Sequence, residues 1–263
     1  MNILEKIAAT KRREVEAMKR VTSPEVMKER AFQTLRTPLS LRRSILGKDP
    51  GIIAEHKRRS PSRGEIRAMS EAGDMARGYA ENGAAAMSVL TDTPYFGGSL
   101  ADLAVARMEA PKLPLLRKEF IEDEYQIYQA RAWGADAVLL IAAMLDAGKI
   151  RRFNDIAHSI GLETLVEIHC RREIAAVPED ADMVGVNNRD LTSFSTDISN
   201  SGDLISLLPA DMVRIAESGL RSPQDIVRLR EAGFDGFLIG EAFMSAPDPA
   251  AELARFISES RCL

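Results

Sequence analysis

The most constraining feature of the sequence is a regular alternation of short apolar segments with longer segments of helical periodicity. After residue 50 there are eight apolar segments of five to seven residues: GIIAEH, AAMSVL, LPLLRK, DAVLLIA, ETLVEI, DMVGV, MVRIAES and DGFLIG. Each is apolar at nearly every position instead of every second one, a pattern typical of parallel strands buried on both faces. Eight such βα units, with no Pro/Gly/Ser-rich linker between them, predict an α/β protein built as a closed (β/α)8 TIM barrel.

The residues before these segments predict an N-terminal helical extension. Ile3, Leu4, Ile7 and Ala8 recur at helical spacing and are followed by a charged stretch. Single (β/α)8 barrels commonly run to about 250 residues, which is close to the length of the whole chain. We therefore expect one barrel domain over the full chain (1–263), with the extension over 1–50 and the barrel over 51–263.

Local signals mark where helices end and begin. The junctions ENGAAAMSVL, AWGADAVLLI and EAGFDGFLIG share one pattern, in which a glycine follows a helix and precedes a strand. Gly83, Gly134 and Gly233 are predicted to take the left-handed conformation there, because glycine has no Cβ to clash. In the segment Ser222-Pro223-Gln224-Asp225, the serine predicts a helix N-cap, with proline at the first helical position.

Composition excludes several classes of protein. The chain has 35 Lys+Arg against 39 Asp+Glu, a formal charge of −4, which argues against a nucleic-acid partner. A membrane helix needs roughly 20 apolar residues, and the longest uncharged apolar run, 137–145, is far shorter. Cys170 and Cys262 show no metal or disulfide spacing, and the charged N-terminus lacks a signal-peptide core. We therefore expect a cytoplasmic protein without a membrane partner.

The predicted strands end in polar side chains. In a (β/α)8 barrel, functional groups stand at the C-terminal ends of the strands, here named the C-terminal rim. Two lysines and two glutamates close together in a low-dielectric site shift one another's pKa values and can act as acid–base pairs. The pattern therefore predicts catalysis without a metal or cofactor. The polar strand-end residues are Glu55, His56, Lys57, Lys118, Glu167, Asn187, Asn188, Arg189, Glu217, Ser218 and Glu241.

The last two strands and the first loop indicate an anionic ligand. Ser218-Gly219 and Gly240-Glu241 place small residues where backbone amides can hold a phosphate. The loop 57–64 adds four positive charges and two hydroxyls to the same rim, which favours a small anionic substrate. The alternative is that the glycines only form tight turns and that the arginines are solvated or paired.

The three histidines do not predict a metal site, because they are too scattered along the chain. His56 should point opposite to Glu55 and Lys57, towards the helices, as a hydrogen-bonded packing residue. We expect His169 to support the end of the fifth strand and His158 to lie on a helix surface.

Seven segments resemble the indole-3-glycerol phosphate synthase family in order and spacing. They are IIAEHKRRSPSRG, SVLTDTPYFGGS, LPLLRKEFIEDEYQIYQARAWGADAVLLIAAML, LVEIH, VNNRDL, IAESGL and FLIGEAFM. The resemblance covers residues 50–245 and extends more weakly to the N-terminal helices, which in that family fold over the active-site side of the barrel. His56 departs from it, since an apolar or aromatic residue is more usual there.

The resemblance implies a ring closure that needs no cofactor and serves tryptophan biosynthesis. The substrate, 1-(2-carboxyphenylamino)-1-deoxyribulose 5-phosphate, loses CO2 and water to give indole-3-glycerol phosphate. Lys118 matches the general acid that protonates the substrate ketone. Glu167 matches the carboxylate that acts as general base or stabilises the cationic intermediate. Lys57 matches the lysine near the substrate carboxylate, which has also been assigned an acid role in the dehydration.

The resemblance also implies supporting roles for other residues. Those that orient the lysines and the substrate hydroxyls are Glu55, Asn187 and Ser218. Those that hold the substrate's anionic group are Ser60, Arg189, Gly219, Gly240 and Glu241. The carboxylate of Glu241 would repel phosphate unless it points away and only its amide is used. Phe96, Phe120 and Leu139 would line an apolar pocket for the aromatic ring, although simple core packing is an alternative at each.

Two other functions are alternatives for a barrel with this pattern. An Amadori-type isomerase acting on phosphoribosylated substrates would carry Cys or Asp at the end of the first strand, where this chain has Glu55 and Lys57. A catalytically silent barrel that senses phosphorylated ligands would need only the last two loops. The presence of both lysines and Glu167 favours ring closure over either alternative.

Overall fold

The structure is a computed structural model that describes residues 3–189, 204–209 and 212–263. Eight parallel strands close into one barrel, in which the first strand pairs with the second and with the last. This confirms the predicted (β/α)8 barrel. In chain order the strands β1–β8 are Gly51–His56, Ala86–Leu90, Leu115–Lys118, Ala137–Ile141, Glu163–Ile168, Met183–Asn187, Val213–Glu217 and Gly236–Ile239.

Two strands are shorter than the sequence predicts. β3 and β8 each have four residues, against the expected five to seven. β3 begins only at Leu115, after Pro114, because proline has no N–H to donate to a neighbouring strand.

Three helices precede the barrel and the others surround it or cap its rim. The helices α1–α11 are Ile3–Val21, Pro24–Gln33, Leu41–Leu46, Ala72–Glu81, Thr93–Phe96, Leu100–Glu109, Glu124–Ala132, Ala147–Ser159, Pro223–Glu231, Glu241–Ser245 and Pro249–Cys262. A 3-10 helix at Arg171–Ala176 follows β5, and a small hairpin of Arg59–Ser60 and Gly64–Glu65 follows β1. Within the described residues, no helix is long and apolar enough to cross a membrane.

The predicted helix signals are confirmed. Gly83, Gly134 and Gly233 have φ of 92°, 96° and 101°, which is the left-handed region that favours glycine. The hydroxyl of Ser222 accepts from the amide of Asp225, and the Asp225 carboxylate accepts from the amide of Ser222 at 2.9 Å. This reciprocal capping box fixes the start of α9.

Alternate residues of each strand face the barrel interior. Ile53, Leu116, Leu165 and Ile215 belong to one interior cluster, and in each case the residue two positions further on is charged. Because side chains alternate along a strand, these charged residues also point inwards, towards the C-terminal rim. Leu41 and Ile45 of α3 belong to the same interior cluster and close the opposite end of the barrel.

The other residues of each strand pack against the helices. Ile52 and Ala54 belong to this outer layer, and His56, on the same side of β1, is 1% exposed. Its Nε2 lies 3.0 Å from the hydroxyl oxygen of Ser70. Burial and the nearby Arg58 lower the pKa of His56 to about 4, so the ring is neutral. The prediction that His56 is a hydrogen-bonded packing residue is therefore confirmed.

Candidate active site

A cavity of about 440 Å³ opens at the C-terminal rim. All fourteen residues predicted for the site contribute to its lining, and they are Glu55, Lys57, Ser60, Phe96, Lys118, Phe120, Leu139, Glu167, Asn187, Arg189, Ser218, Gly219, Gly240 and Glu241. Ile3, Leu4 and Ile7 of α1 also line it, so the N-terminal extension forms part of the cavity wall.

Lys118 lies at the centre of the polar side of the cavity, between two carboxylates. Its Nζ is 2.8 Å from Oε2 of Glu167 and 2.6 Å from Oε2 of Glu217. The three residues lie at or next to the C-terminal ends of β3, β5 and β7, and alternate strands of such a barrel contribute side chains to one interior layer. The barrel geometry therefore brings one cation and two anions together from distant parts of the chain.

The three groups shift one another's pKa values. Burial alone lowers the pKa of Lys118, but Glu167, Glu217 and Glu55 outweigh burial and raise it well above the usual range. Burial raises the pKa of Glu217, and the neighbouring Glu167 adds to the rise against the effect of Lys118. Burial also acts to raise the pKa of Glu167, but Lys118 and His169 outweigh it and hold that pKa well below its usual range. At neutral pH Lys118 is an ammonium and Glu167 is the more acidic of the two carboxyls.

A second lysine–carboxylate pair lies at the end of β1. Nζ of Lys57 is 2.7 Å from Oε1 of Glu55. Burial opposes ionisation of Glu55, yet Lys57 and Lys118 lower its pKa below the usual value. A Cβ at Gly240 would overlap Oε1 of Glu55, so glycine at that position leaves room for this carboxylate.

Glu217 is a polar strand-end residue outside the fourteen predicted site residues, and the structure places it next to Lys118. Its side chain is 2% exposed, and its Oε1 is buried without a hydrogen-bond partner. A Cβ at Gly185 of β6 would overlap this oxygen. The signal that could have identified it is its inward position on β7, two residues beyond Ile215.

The turn after β7 has an unusual backbone. Ser218 has φ of 63° and Gly219 has φ of 81°, and the left-handed region is uncommon for a residue other than glycine. The side-chain amide of Asn188 donates to the carbonyl oxygens of Glu217 and Ser218 at 3.0 and 3.2 Å. These bonds hold a strained turn, a feature that clusters at functional sites.

The polar residues of the β1 and β6 loops meet at another part of the cavity. A guanidinium nitrogen of Arg189 donates to the hydroxyl of Ser62, and the Arg189 amide donates to Oδ1 of Asn187 at 3.0 Å. The hydroxyl oxygen of Ser60 lies 3.3 Å from that of Ser62. The loop after β1 is thus joined to the end of β6.

The carboxylate of Glu241 does not point away from this group. Oε1 lies 3.4 Å from Nε of Arg63, and Oε2 lies 3.6 Å from Nη2 of Arg189. The side chain of Glu241, and not only its amide, therefore faces the site. The reason is that two guanidinium groups, contributed by different loops, attract the carboxylate towards the cavity.

Aromatic side chains form an apolar part of the wall. The rings of Phe96 and Phe120 pack with their centroids 5.8 Å apart at a tilt of 40°. Leu139 belongs to the barrel interior and lines the same cavity. An apolar wall facing a few convergent charges is typical of a small-molecule site. Within the described ranges, no group of three or more His, Cys, Asp or Glu is arranged to hold a metal ion.

The fold and the cavity together define a (β/α)8 barrel enzyme that carries acid–base groups at its C-terminal rim. Over residues 4–256 the chain matches the family model described as indole-3-glycerol phosphate synthase. The chain belongs to this family.

Curated relatives described as indole-3-glycerol phosphate synthase are similar over nearly their whole length. The protein from Bacteroides thetaiotaomicron is 46% identical, with 97% of this chain and 98% of the relative covered. The protein from Burkholderia vietnamiensis is also 46% identical, with the same coverage of 97% and 98%. The protein from Salinibacter ruber is 43% identical, with 99% and 97% covered.

Solved structures of lower identity share the fold. The thiamine phosphate pyrophosphorylase of Pyrococcus furiosus aligns with a TM-score of 0.61 at 17% identity, covering 84% of this chain and 99% of that one. The tryptophan synthase alpha subunit of Legionella pneumophila aligns with a TM-score of 0.60 at 12% identity, covering 85% and 98%.

Proposed function

We propose that this cavity closes the indole ring of indole-3-glycerol phosphate, with Lys118 as the general acid of the first step. The reaction is that of a carbon–carbon lyase in tryptophan biosynthesis, in which 1-(2-carboxyphenylamino)-1-deoxyribulose 5-phosphate loses CO2 and water. The observation that carries the proposal is the buried Lys118 ammonium, within 2.8 Å of two carboxylates at the polar side of a cavity with an aromatic wall.

The first step forms the new carbon–carbon bond. The ring carbon that bears the carboxylate attacks the ketone carbon, and the carbonyl oxygen takes a proton from Nζ of Lys118 as its π electrons move to oxygen. The positive charge that develops on the anilino side of the substrate is stabilised by the Glu167 carboxylate. An ammonium already in place where negative charge develops needs little reorganisation, which favours the transition state.

The later steps restore the aromatic ring and expel water. The carbon–carboxylate bond breaks, its electrons return to the ring, and CO2 leaves. Lys57 then donates a proton to the departing hydroxyl, and Glu167 takes the proton that leaves carbon. Two protons are donated and one is accepted, so each turnover takes one proton from solvent. Glu55, 2.7 Å from Lys57, and Asn187 and Ser218 orient the lysines and the substrate hydroxyls.

The two ends of the substrate bind to different parts of the cavity. The phosphate binds near Ser60, Arg189, Gly219 and Gly240, and near the backbone of Glu241, where backbone amides and a guanidinium converge. The carboxyphenyl ring packs between Phe96, Phe120 and Leu139, which supply apolar contact area. This orientation keeps the reacting carbons next to Lys118, and holding reactants in place is a large part of catalysis.

The test is a reaction of the purified protein with the carboxyphenylamino-deoxyribulose phosphate in the presence of a chelator. Indole fluorescence and released CO2 should rise together, and Lys118→Met should lower kcat by about 10³-fold with a smaller change in KM. Lys112→Met, which changes an exposed lysine before β3, is the matched control. Saturable binding without turnover by the unaltered protein would overturn the proposal.

We also propose that the enzyme works in the cytoplasm on this small-molecule substrate, without a metal or cofactor. Both cysteines are free, as is usual in a reducing compartment. Full activity in the presence of the chelator, with no nucleotide or other cofactor added, is the expected result.

A further inference from the structure

His169 lies directly after β5, and its ring stands between two carboxylates. Nε2 is 3.3 Å from Oε1 of Glu167, and Nδ1 is 3.6 Å from Oε2 of Glu173 in the following 3-10 helix. The backbone amide of His169 donates to the same Oε2 of Glu173 at 2.6 Å. The imidazole is 11% exposed and is not part of the cavity lining. The imidazole can therefore affect the site only through its contact with Glu167.

The charges around the ring favour its protonated form. Neither ring nitrogen is aligned for a hydrogen bond, so the contacts are ionic pairs held by attraction between opposite charges. Burial lowers the pKa of His169, but Glu167 and Glu173 outweigh burial and raise it to about 10. Beyond Glu167 are Lys118 of β3 and Glu217 of β7, and Cys170 borders Glu173. At neutral pH the ring is an imidazolium.

The two oxygens of Glu167 are consequently divided between two cations. Oε2 faces Lys118 and Oε1 faces His169. A carboxylate with one cationic partner can rotate and exchange its oxygens, whereas a carboxylate with a cation on each oxygen is held in one orientation. Glu217 has only Lys118 as a nearby cationic partner among the described ion pairs, and its Oε1 is unpaired. Glu167 thus has two cationic partners where Glu217 has one, and the additional partner is His169.

We propose that His169 is a positioning residue, whose imidazolium holds Oε1 of Glu167 so that this carboxylate stays anionic and presents Oε2 to Lys118. The inference rests on the proposed role of Glu167 in the reaction. Without the imidazolium, Lys118 would be the only cation beside both Glu167 and Glu217, so a proton taken up at lower pH could bind to either carboxylate. Glu167 would then become protonated at a higher pH than in the unaltered enzyme.

The kinetic test compares His169→Gln with the unaltered enzyme over a range of pH. The substitution should lower kcat by about 10-fold at neutral pH and move the acidic limb of the kcat profile to higher pH, with KM changed less than kcat. His169→Lys, which restores a cation, should return the limb towards lower pH. The control is His158→Gln, because His158 also pairs with a carboxylate, Asp182 at 2.8 Å, but that carboxylate, unlike Glu167, does not line the cavity. A fall in kcat by the same factor at every pH would overturn the proposal.

A second measurement does not depend on activity. The chain has only three histidines, so their ring signals can be assigned in an NMR titration by single substitutions. We expect the His169 ring to stay protonated through the neutral range and to titrate at lower pH in Glu167→Gln and in Glu173→Gln. A His169 ring that titrates near the ordinary value of about 6.5 in the unaltered protein would overturn the proposal.

These outcomes separate the inference from the proposed function. If Glu167→Gln keeps full kcat, the role of Glu167 in the reaction is wrong, whatever the histidine titration gives. If Glu167→Gln loses activity while His169→Gln leaves the acidic limb in place, only the positioning role of His169 is wrong. Should His169→Gln fail to fold, His169→Asn gives the same kinetic test, because it also removes the cation beside Oε1 of Glu167, and an unmoved acidic limb would overturn the proposal.

Discussion

Nζ of Lys118 lies closer to Glu217 than to Glu167, at 2.6 Å against 2.8 Å, although Glu217 is the carboxyl that burial and its neighbours make less acidic. Glu217 is thus the group most ready to hold a proton beside the ammonium. Its other oxygen, Oε1, is buried without a hydrogen-bond partner and faces Gly185 of the neighbouring strand.

Replacing Glu217 by glutamine should change both activity and the pH dependence of stability. The folded-state pKa of Glu217 is raised, so its contribution to stability is present below the unfolded pKa and is lost as pH rises through the folded pKa. Glutamine cannot ionise, so Glu217→Gln should lose less stability than the unaltered protein between weakly acidic and weakly basic pH. The kcat should fall by about 10²-fold. Urea unfolding at several pH values checks the expectation about stability. An unfolding free energy that falls equally steeply with pH in the two proteins would contradict it.

Adding one methyl group at Gly185 should disturb the same cluster from the neighbouring strand. A Cβ there would overlap Oε1 of Glu217, so the carboxylate must move or β6 must shift. Gly185→Ala should lower kcat by about 10-fold or more and cost about 1–3 kcal/mol of unfolding free energy, as overpacking usually does. Gly148→Ala on the exposed side of α8 is the matched control, and it should keep full activity. A Gly185→Ala enzyme with unchanged kcat would show that Glu217 does not need its observed position.

The barrel and the strand-end residues could be predicted because they depend on local patterns. Burial on both faces makes each strand apolar throughout, and alternation along a strand decides which side chain enters the barrel. Ile53 followed by Glu55, and Leu165 followed by Glu167, are enough to place both carboxylates at the same rim. Gly83 and Ser222 mark a helix end and a helix start through their own backbone preferences.

Features that depend on loop conformation could not be predicted in the same way. Glu241 reaches Arg63 and Arg189 across two loops, and no periodicity in the sequence relates those positions. The pairing of His169 with Glu173 requires the chain to turn into a 3-10 helix after β5. The burial of Lys11 requires α1 to lie against the rim, which is a tertiary contact more than 80 residues apart in sequence.

Removing the charge of Glu241 should strengthen phosphate binding. Its carboxylate, 24% exposed, lies near the guanidinium groups of Arg63 and Arg189, where it competes with a bound phosphate for the same cations. An exposed ion pair contributes at most about 1 kcal/mol, so Glu241→Gln should lower the inhibition constant for inorganic phosphate and the substrate KM by up to about fivefold. Glu81→Gln, an exposed change on α4, is the control. Weaker phosphate inhibition in Glu241→Gln would contradict the competition.

Lys11 connects the N-terminal extension to the rim, and its removal should affect substrate binding as well as stability. It is 3% exposed, and its Nζ lies 2.5 Å from Oδ2 of Asp92 and 3.3 Å from Oε1 of Glu119. Burial lowers its pKa, but Glu119 and Asp92 outweigh burial and raise it, so the side chain is charged throughout the neutral range. Lys11→Met leaves Asp92 buried without its cation and leaves Glu119 with only Arg117, whose Nη2 is 3.6 Å from Oε2 of Glu119. Breaking a buried ion pair in this way typically costs about 3–5 kcal/mol.

The effect on binding follows from what the two carboxylates hold. Asp92 accepts from the amide of Phe96 at 3.1 Å and Glu119 accepts from the amide of Phe120 at 2.9 Å, and both phenylalanines line the cavity. The substitution should therefore raise KM by about 10-fold, while kcat, which depends on Lys118, should change less. Lys6→Met, on the exposed side of α1, is the matched control. Urea unfolding and steady-state kinetics on the two variants check the expectation. A Lys11→Met enzyme that loses stability with KM unchanged would show that Lys11 stabilises the packing of α1 but does not affect substrate binding.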